Sequence, residues 1–370
     1  KYFGRTELGY AQDGLDENGN VGGGLIGMVS GFWARGFDPE TVNYKSMQIS
    51  LQDQIKSDQA VFNIGIGIET KDFEEVLRIE ELKYFYRETT VVSLPNQITN
   101  VKRTVDKALF FSGTTFGYNK GGNYENEIGL DEPNTRTDSI TPIRKTSNKY
   151  KKESTNRADE YALEIARRKP QALYPDEDTR YDEHNWYLDT VRDSTDPLGN
   201  SFIQADWTDR LDELPTGILS PQTFRSMFFT PLRILLRHGW VLRAGMEPYI
   251  SKFIRYISSV ANTELAMKFK GEVERKENSN ILVNDLERSR FLPEIIEFDH
   301  VVSEDLIDEV FGKTRTLVNG EYEDVQNYYF KMEWFNEDGN IERGYLLSLK
   351  PKGNGKWKFL KANENPLRTI

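Results

Sequence analysis

The chain has 370 residues, 48 Lys and Arg against 59 Asp and Glu, a net charge of −11 and no cysteine. That length is ample for a sizeable core and suggests more than one domain. The missing thiols exclude disulfides and thiolate metal sites, and the acidic balance excludes wrapping duplex DNA by neutralising its phosphates. Phe, Tyr and Trp make up 12% of the residues, which leans toward strands and interfaces. There is no apolar run of membrane-spanning length and no signal peptide, so no membrane span is expected. The chain opens on Lys1-Tyr2-Phe3-Gly4 rather than Met and reads as a piece of something longer.

Residues 1–112 read as β. "DENGN" (16–20) has turn chemistry and resembles half of a calcium loop, but Val21 stands where glycine is needed, so a hairpin turn is expected. "VGGGLIGMVSGFW" (21–33) is too glycine-rich for a stable helix. "FNIGIGIE" (62–69) alternates, with Phe62, Ile64, Ile66 and Ile68 on one face and Asn63, Gly65, Gly67 and Glu69 on the other. That is a half-buried strand whose glycines permit close backbone approach. "DFEEVLRIEELKYFY" (72–86) predicts a helix followed by a strand.

Residues 113–156 are polar, with scattered Gly and Pro and few aliphatics. They predict a long arm docked on another chain, because such a composition buries too little apolar surface to fold alone. "SNKYKK" within it is basic and reads as a solvated stretch or a nucleic-acid contact. "NRADEYALEIARRKPQ" (156–171) predicts a helix with Asn156 as cap, an apolar stripe of Ala158, Tyr161, Ala162, Ile165 and Ala166, and a stop at Lys169-Pro170.

Between residues 175 and 215 stand twelve acids and three arginines, so −9 of the net −11 is local. Asp176, Glu177, Asp178, Asp182 and Glu183 form its densest part. This patch is expected to face an aqueous lumen or a crowded interface of like subunits, where it would repel phosphates and let DNA slide. Asp176, Asp178 and Asp182 offer hard oxygens for Ca²⁺, but the spacing lacks the turn glycine and terminal Glu of a calcium loop.

"LLRHG" (235–239) resembles the phosphate-accepting loop of histidine phosphatases. That family needs an early strand before the loop and a second catalytic histidine downstream. Here a leucine-rich run precedes the triplet, and His300 alone lies downstream. The expected structure is a short helix from Pro231 that stops at Gly239, with a second from Trp240 to about Met246. His238 is then no nucleophile. "PYISKFIRYIS" (248–258) alternates as a strand. Paired carboxylates for glycoside hydrolysis can be found anywhere among so many acids, and three dispersed histidines make no zinc site. No catalytic, cofactor-binding or metal residues are assigned.

Residues 263–361 read as hairpins. "PEIIEFDHVVS" alternates, and "SEDLIDEVFG" is a capped helix from Ser303 to Gly312. Phe330, Met332 and Trp334 share a face. Asp338-Gly339 turns into a strand presenting Tyr345, Leu347 and Leu349, and Asn354-Gly355 turns again into "KWKFL". The prediction is an α+β fold, predominantly antiparallel β with a few short helices and a C-terminal β-meander. Its regions are a β-rich 1–112, a polar arm 113–156, a mixed helical and acidic 157–262, and the meander region 263–370.

Within 156–363, "NRADEYALEIARRKPQALYPDEDTRYDE", "LSPQTFRSMFFTPLRILLRHG", "YISKFIRYISSVANTELAMK" and "NIERGYLLSLKPKGNGKWKFLKAN" resemble virion tail structural proteins of crAss-like bacteriophages, of the muzzle type or the ring and hub type. The resemblance implies a homo-oligomeric ring or nozzle contacting other tail proteins and passing DNA without specific contacts, and it brings no catalytic residues. It also implies a place in the virion after assembly in the bacterial cytoplasm. The alternative reading is a host-surface β-protein that binds or hydrolyses glycans.

Overall fold

The computed structural model describes residues 25–35, 49–71, 74–119, 136–158, 160–169, 173, 182, 184–192, 202–204, 230–259, 266–267, 275–276, 279–318, 321–351 and 355–364. In chain order these form β1 (Leu25–Ser30), α1 (Gly31–Ala34), α2 (Leu51–Phe62), β2 (Ile64–Lys71), β3 (Glu74–Glu81), β4 (Arg87–Gln97) and β5 (Thr99–Val105). Next come β6 (Gly113–Tyr118), β7 (Arg136–Ile140), β8 (Lys149–Ser154), α3 (Glu160–Arg167), β9 (Asn185–Arg192) and β10 (Phe202–Gln204). They are followed by α4 (Pro231–Ala244), β11 (Phe253–Ser259), β12 (Ala266–Met267), β13 (Arg275–Lys276), β14 (Ile281–Leu282) and β15 (Phe291–Asp299). The last are α5 (Glu304–Phe311), β16 (Lys313–Val318), β17 (Glu321–Gln326), β18 (Phe330–Phe335), β19 (Ile341–Lys350) and β20 (Lys356–Ala362). The fold is β-rich α+β and mostly antiparallel, as the patterning predicts.

The expected meander is β18-β19-β20, in antiparallel register from Lys331↔Tyr345 to Lys350↔Lys356. Its Asp338-Gly339 and Gly355 turns carry glycine at φ 76° and 68°, a backbone region that side chains rarely adopt. The sheet is larger than the local hairpins, with order β4-β18-β19-β20-β15-β5. Residues 87–105 thus supply both outer strands of the C-terminal sheet. β4 runs parallel to β18 and carries Pro95 on the sheet edge, where no ladder donor is needed. One face buries Trp334, Trp357, Phe298, Phe359 and Ile296 beneath Leu306 and Val310 of α5. Ser303 caps that helix by accepting from the Leu306 amide, as predicted. Phe359 stacks between Phe298 (15° between rings) and Trp357 (3°).

A bulge between Leu346 and Ser348 alters one predicted face. Tyr345 points inward, whereas Leu347 is exposed, because the extra residue shifts the alternation.

The second main sheet has order β14-β11-β7-β6-β8. It corrects the expectation of a polar arm over 113–156. Gly113–Tyr118 forms a strand buried along its whole length, antiparallel to β7 and parallel to β8. The threonines there are β-formers that bury well once paired on both sides. Residues 120–135 of the predicted arm lie outside the described residues.

Four further expectations change. Residues 51–62 are helical rather than β. Ser50 caps the helix by accepting from the Asp53 amide, and left-handed Asn63 (φ 53°) ends it. The buried side of that helix includes Gln54, Ser57 and Asp58, so no apolar period betrays it. Residues 74–81 are a strand in register with β2 from Ile64↔Glu81 to Lys71↔Glu74, followed by a 3₁₀ turn over Leu82–Phe85.

In β2 the expected faces are inverted beyond Ile64. A Cβ on Gly65 would lie 2.5 Å from the Phe85 ring, and one on Gly67 2.2 Å from the Tyr329 hydroxyl. The bare glycine face is therefore the packed one, while Ile66 and Ile68 turn outward at 38% and 64% exposure. Finally, Pro231 and the Thr230 cap begin α4 as expected, but Gly239 does not stop it. Gly239 sits mid-helix against Leu286, whose side chain lies 3.0 Å from where a Cβ would stand.

α4 is buried on nearly all sides. Leu232, Ile234, Leu235 and Leu242 join the core of the five-stranded sheet with Phe116, Tyr118 and Ile254. Trp240, Val241 and Ala244 pack instead on Phe291, Tyr345 and Leu360 of the six-stranded sheet. A helix serving two sheets needs apolar residues all round, which is why no single stripe marks it.

Candidate functional site

His238 of the phosphatase-like triplet is fully buried. Its Nε2 lies 2.9 Å from the Ala60 carbonyl and its Nδ1 2.8 Å from the Tyr150 hydroxyl. A carbonyl only accepts, so Nε2 carries the proton and Nδ1 accepts from Tyr150. Burial, reinforced by Lys152, pushes the imidazole down to about 3, so it stays neutral. Both nitrogens are occupied, and the ring is a strut joining α4, α2 and β8. His300 plays a similar part: Nε2 bonds the Pro95 carbonyl, and its own carbonyl accepts from Trp357 Nε1 at 3.1 Å.

A second buried polar cluster joins α2 to β8 and β9. Asp58 Oδ1 accepts from Gln54 Nε2 at 2.7 Å and from the Tyr187 hydroxyl at 2.9 Å. Asn156 Nδ2 donates to Gln54 Oε1 at 2.8 Å. Asn156 was expected to cap a helix from 157. It is held in this cluster instead, and α3 begins at Glu160. Burial raises the Asp58 carboxyl to about 6 against the two hydrogen bonds that favour its charge.

Of the predicted acidic patch, the structure places Asp182. It is buried, and both its oxygens lie 2.7 Å from Arg35 Nη1, while Arg35 Nε donates to the Lys169 carbonyl. Asp182 is thus no part of an exposed acidic wall; it ties the acidic run to α1 and the end of α3. Asp176, Glu177, Asp178 and Glu183 lie outside the described residues. Among the described residues no group of three acidic or histidine side chains is placed to hold a metal, and no helix is long and apolar enough to cross a membrane.

The candidate site that sequence reasoning missed is an open cleft of about 580 Å³ on the six-stranded sheet, on the side opposite the Trp334–Phe359 core. β5, β15, β19 and β20 build it. Strand register sets Lys102, Glu297, Lys358 and Ser348 in one row across the sheet. The adjacent row holds Asp299, Lys356 and Lys350. Glu297 pairs with Lys358 at 3.0 Å, and Asp299 accepts from Asn100 at 2.8 Å. Lys102, Lys350 and Lys356 are exposed and form no ion pair among the described residues.

The Glu297 carboxyl is held below its ordinary range by its bond to Lys358 and by the charges of Lys102 and Lys350. Four lysines against two carboxylates make the cleft cationic on a chain of net charge −11. The alternation Lys356-Trp357-Lys358 was a visible signal for one strand. The meeting with Lys102, some 250 positions away, was not.

Compared with protein-family models, with curated proteins and with solved structures, the chain finds no match.

Proposed function

We propose that the chain is a structural component of a bacteriophage tail, assembling with copies of itself into a ring or nozzle through which the genome passes. The resemblance over residues 156–363 suggests the setting. The observation that carries the assembly is the outward face of two β-hairpins. In β2–β3 the cross-strand pair Ile68–Leu77 is exposed at 64% and 54%, and in β16–β17 the pair Leu317–Tyr322 at 54% and 69%. Paired exposed apolar side chains on a two-stranded ribbon are surface that a neighbouring subunit stabilises by covering. The buried histidines and Asp58 serve this reading as struts within one subunit.

The test is native mass spectrometry of the purified chain, with electron microscopy of the particles. A discrete closed oligomer is expected, and Ile68→Lys with Tyr322→Lys should shift it toward monomer. A soluble wild-type monomer that cleaves a glycan would replace this reading with the host-surface enzyme.

A further inference from the structure

We propose that the lysine-lined cleft of the six-stranded sheet docks the carboxylates of Asp176, Glu177 and Asp178, the start of the acidic run 175–215, from a second copy of this chain. This rests on the oligomeric reading above and names the contact that would give it direction. The site is an open cleft of about 580 Å³ rather than the enclosed pocket that a small molecule usually takes. Its cations stand in two rows across the sheet, Lys102 and Lys358 in one and Lys356 and Lys350 in the next, so consecutive carboxylates of an entering segment can each meet a lysine. Lys102, Lys350 and Lys356 are exposed and available, while Lys358 is already engaged by Glu297.

Charge complementarity selects the occupant. The run 175–215 concentrates −9, and Asp176, Glu177 and Asp178 stand consecutively at its start. Duplex DNA offers negative charge too, but so few lysines give it little counterion release.

The described anchors of the run favour a second copy over the same one. Asp182 is locked to Arg35 beside α1 and α3, and β9 pairs with β1 and β10 and bridges to Arg157. None of these elements belongs to the six-stranded sheet. An edge-strand defence, in which lysines merely keep β5 from pairing, accounts for Lys102 but not for Lys350 and Lys356, which lie on the interior strands β19 and β20. Such a head-to-tail contact uses a different patch on each partner, which is the geometry that closes rings.

The experiment uses two charge-reversed full-length chains. One carries Lys102→Glu, Lys350→Glu and Lys356→Glu; the other carries Asp176→Lys, Glu177→Lys and Asp178→Lys. Circular dichroism checks that each is folded, and sedimentation velocity reads association. Each variant alone should self-associate about tenfold or more weakly than wild type, and added salt should weaken wild type. An equimolar mixture should recover association, because every contact between unlike copies is again complementary.

Wild-type assembly with an unaffected lysine variant would overturn the docking while leaving the oligomer standing. A loss that the mixture does not restore would remove the acidic run as occupant. A wild-type monomer at every concentration would take down both readings. If the lysine variant instead loses binding to a single-stranded oligonucleotide with assembly intact, the cleft is a nucleic-acid site and the proposal is wrong.

Discussion

The two main sheets are held together by different means. The six-stranded sheet closes over an aromatic core in which Phe298, Trp334, Trp357 and Phe359 pack together. The five-stranded sheet, with α2 and α4 against it, is threaded by buried polar groups: Asp58 with Gln54, Tyr187 and Asn156, and His238 with Tyr150 and Ala60. Aromatic burial is non-directional and tolerant of small shifts, whereas a buried hydrogen bond demands a partner at a fixed place. The first kind of core follows from local alternation, and the second only from distant residues meeting. α4 belongs to both, with Leu235 in one core and Trp240 at the other.

The largest expected effect tests whether α4 couples the two halves. Trp334→Ala removes a fully buried indole from the aromatic core and should cost about 3–5 kcal/mol. Urea unfolding followed by both fluorescence and circular dichroism should show one transition shifted as a whole. Two separated transitions would mean that the sheets unfold independently.

A smaller effect isolates the polar half through pH. His238 is depressed to about 3, so the unfolded chain takes up a proton below the ordinary 6.5 that the folded chain refuses, and stability falls as pH drops from 6.5 toward 3. Asp58 is raised from 3.8 to about 6, so its contribution is fully present below 3.8 and is lost as pH rises through 6. Between about pH 4 and 6 these two dependences oppose each other. Asp58→Asn removes one of them. The variant should therefore lose stability on acidification across that window more steeply than wild type, by up to about 1.4 kcal/mol per pH unit. Chemical denaturation at pH 6, 5 and 4 measures the slope, and parallel profiles for the two proteins would contradict it.

The smallest effect sharpens the reading of α4. Ala at Gly239 gains about 1 kcal/mol of helix propensity, but its methyl meets Leu286 at 3.0 Å. The two should nearly cancel, leaving the melting temperature within a few degrees of wild type. A large destabilisation would show that Leu286 cannot yield.

Sequence by itself determined the elements whose partners are near in the chain. The meander, its Gly339 and Gly355 turns, the Ser303–Gly312 helix and the inward set Phe330, Met332 and Trp334 follow from alternation and turn chemistry, which act over a few residues. Tertiary structure alone decided what depends on distant partners. The helix 51–62 escaped notice because its buried side carries Gln54, Ser57 and Asp58, whose hydrogen-bonding groups come from residues 154–187. The polar strand 113–118 is buried because β7 and β8 satisfy its backbone on both sides. The inversion of β2 was set by Phe85 and Tyr329, whose rings occupy the space that Gly65 and Gly67 leave empty. The cationic cleft exists because register brings Lys102 into one row with Lys358, and no local period encodes a pairing across a strand contributed from elsewhere in the chain.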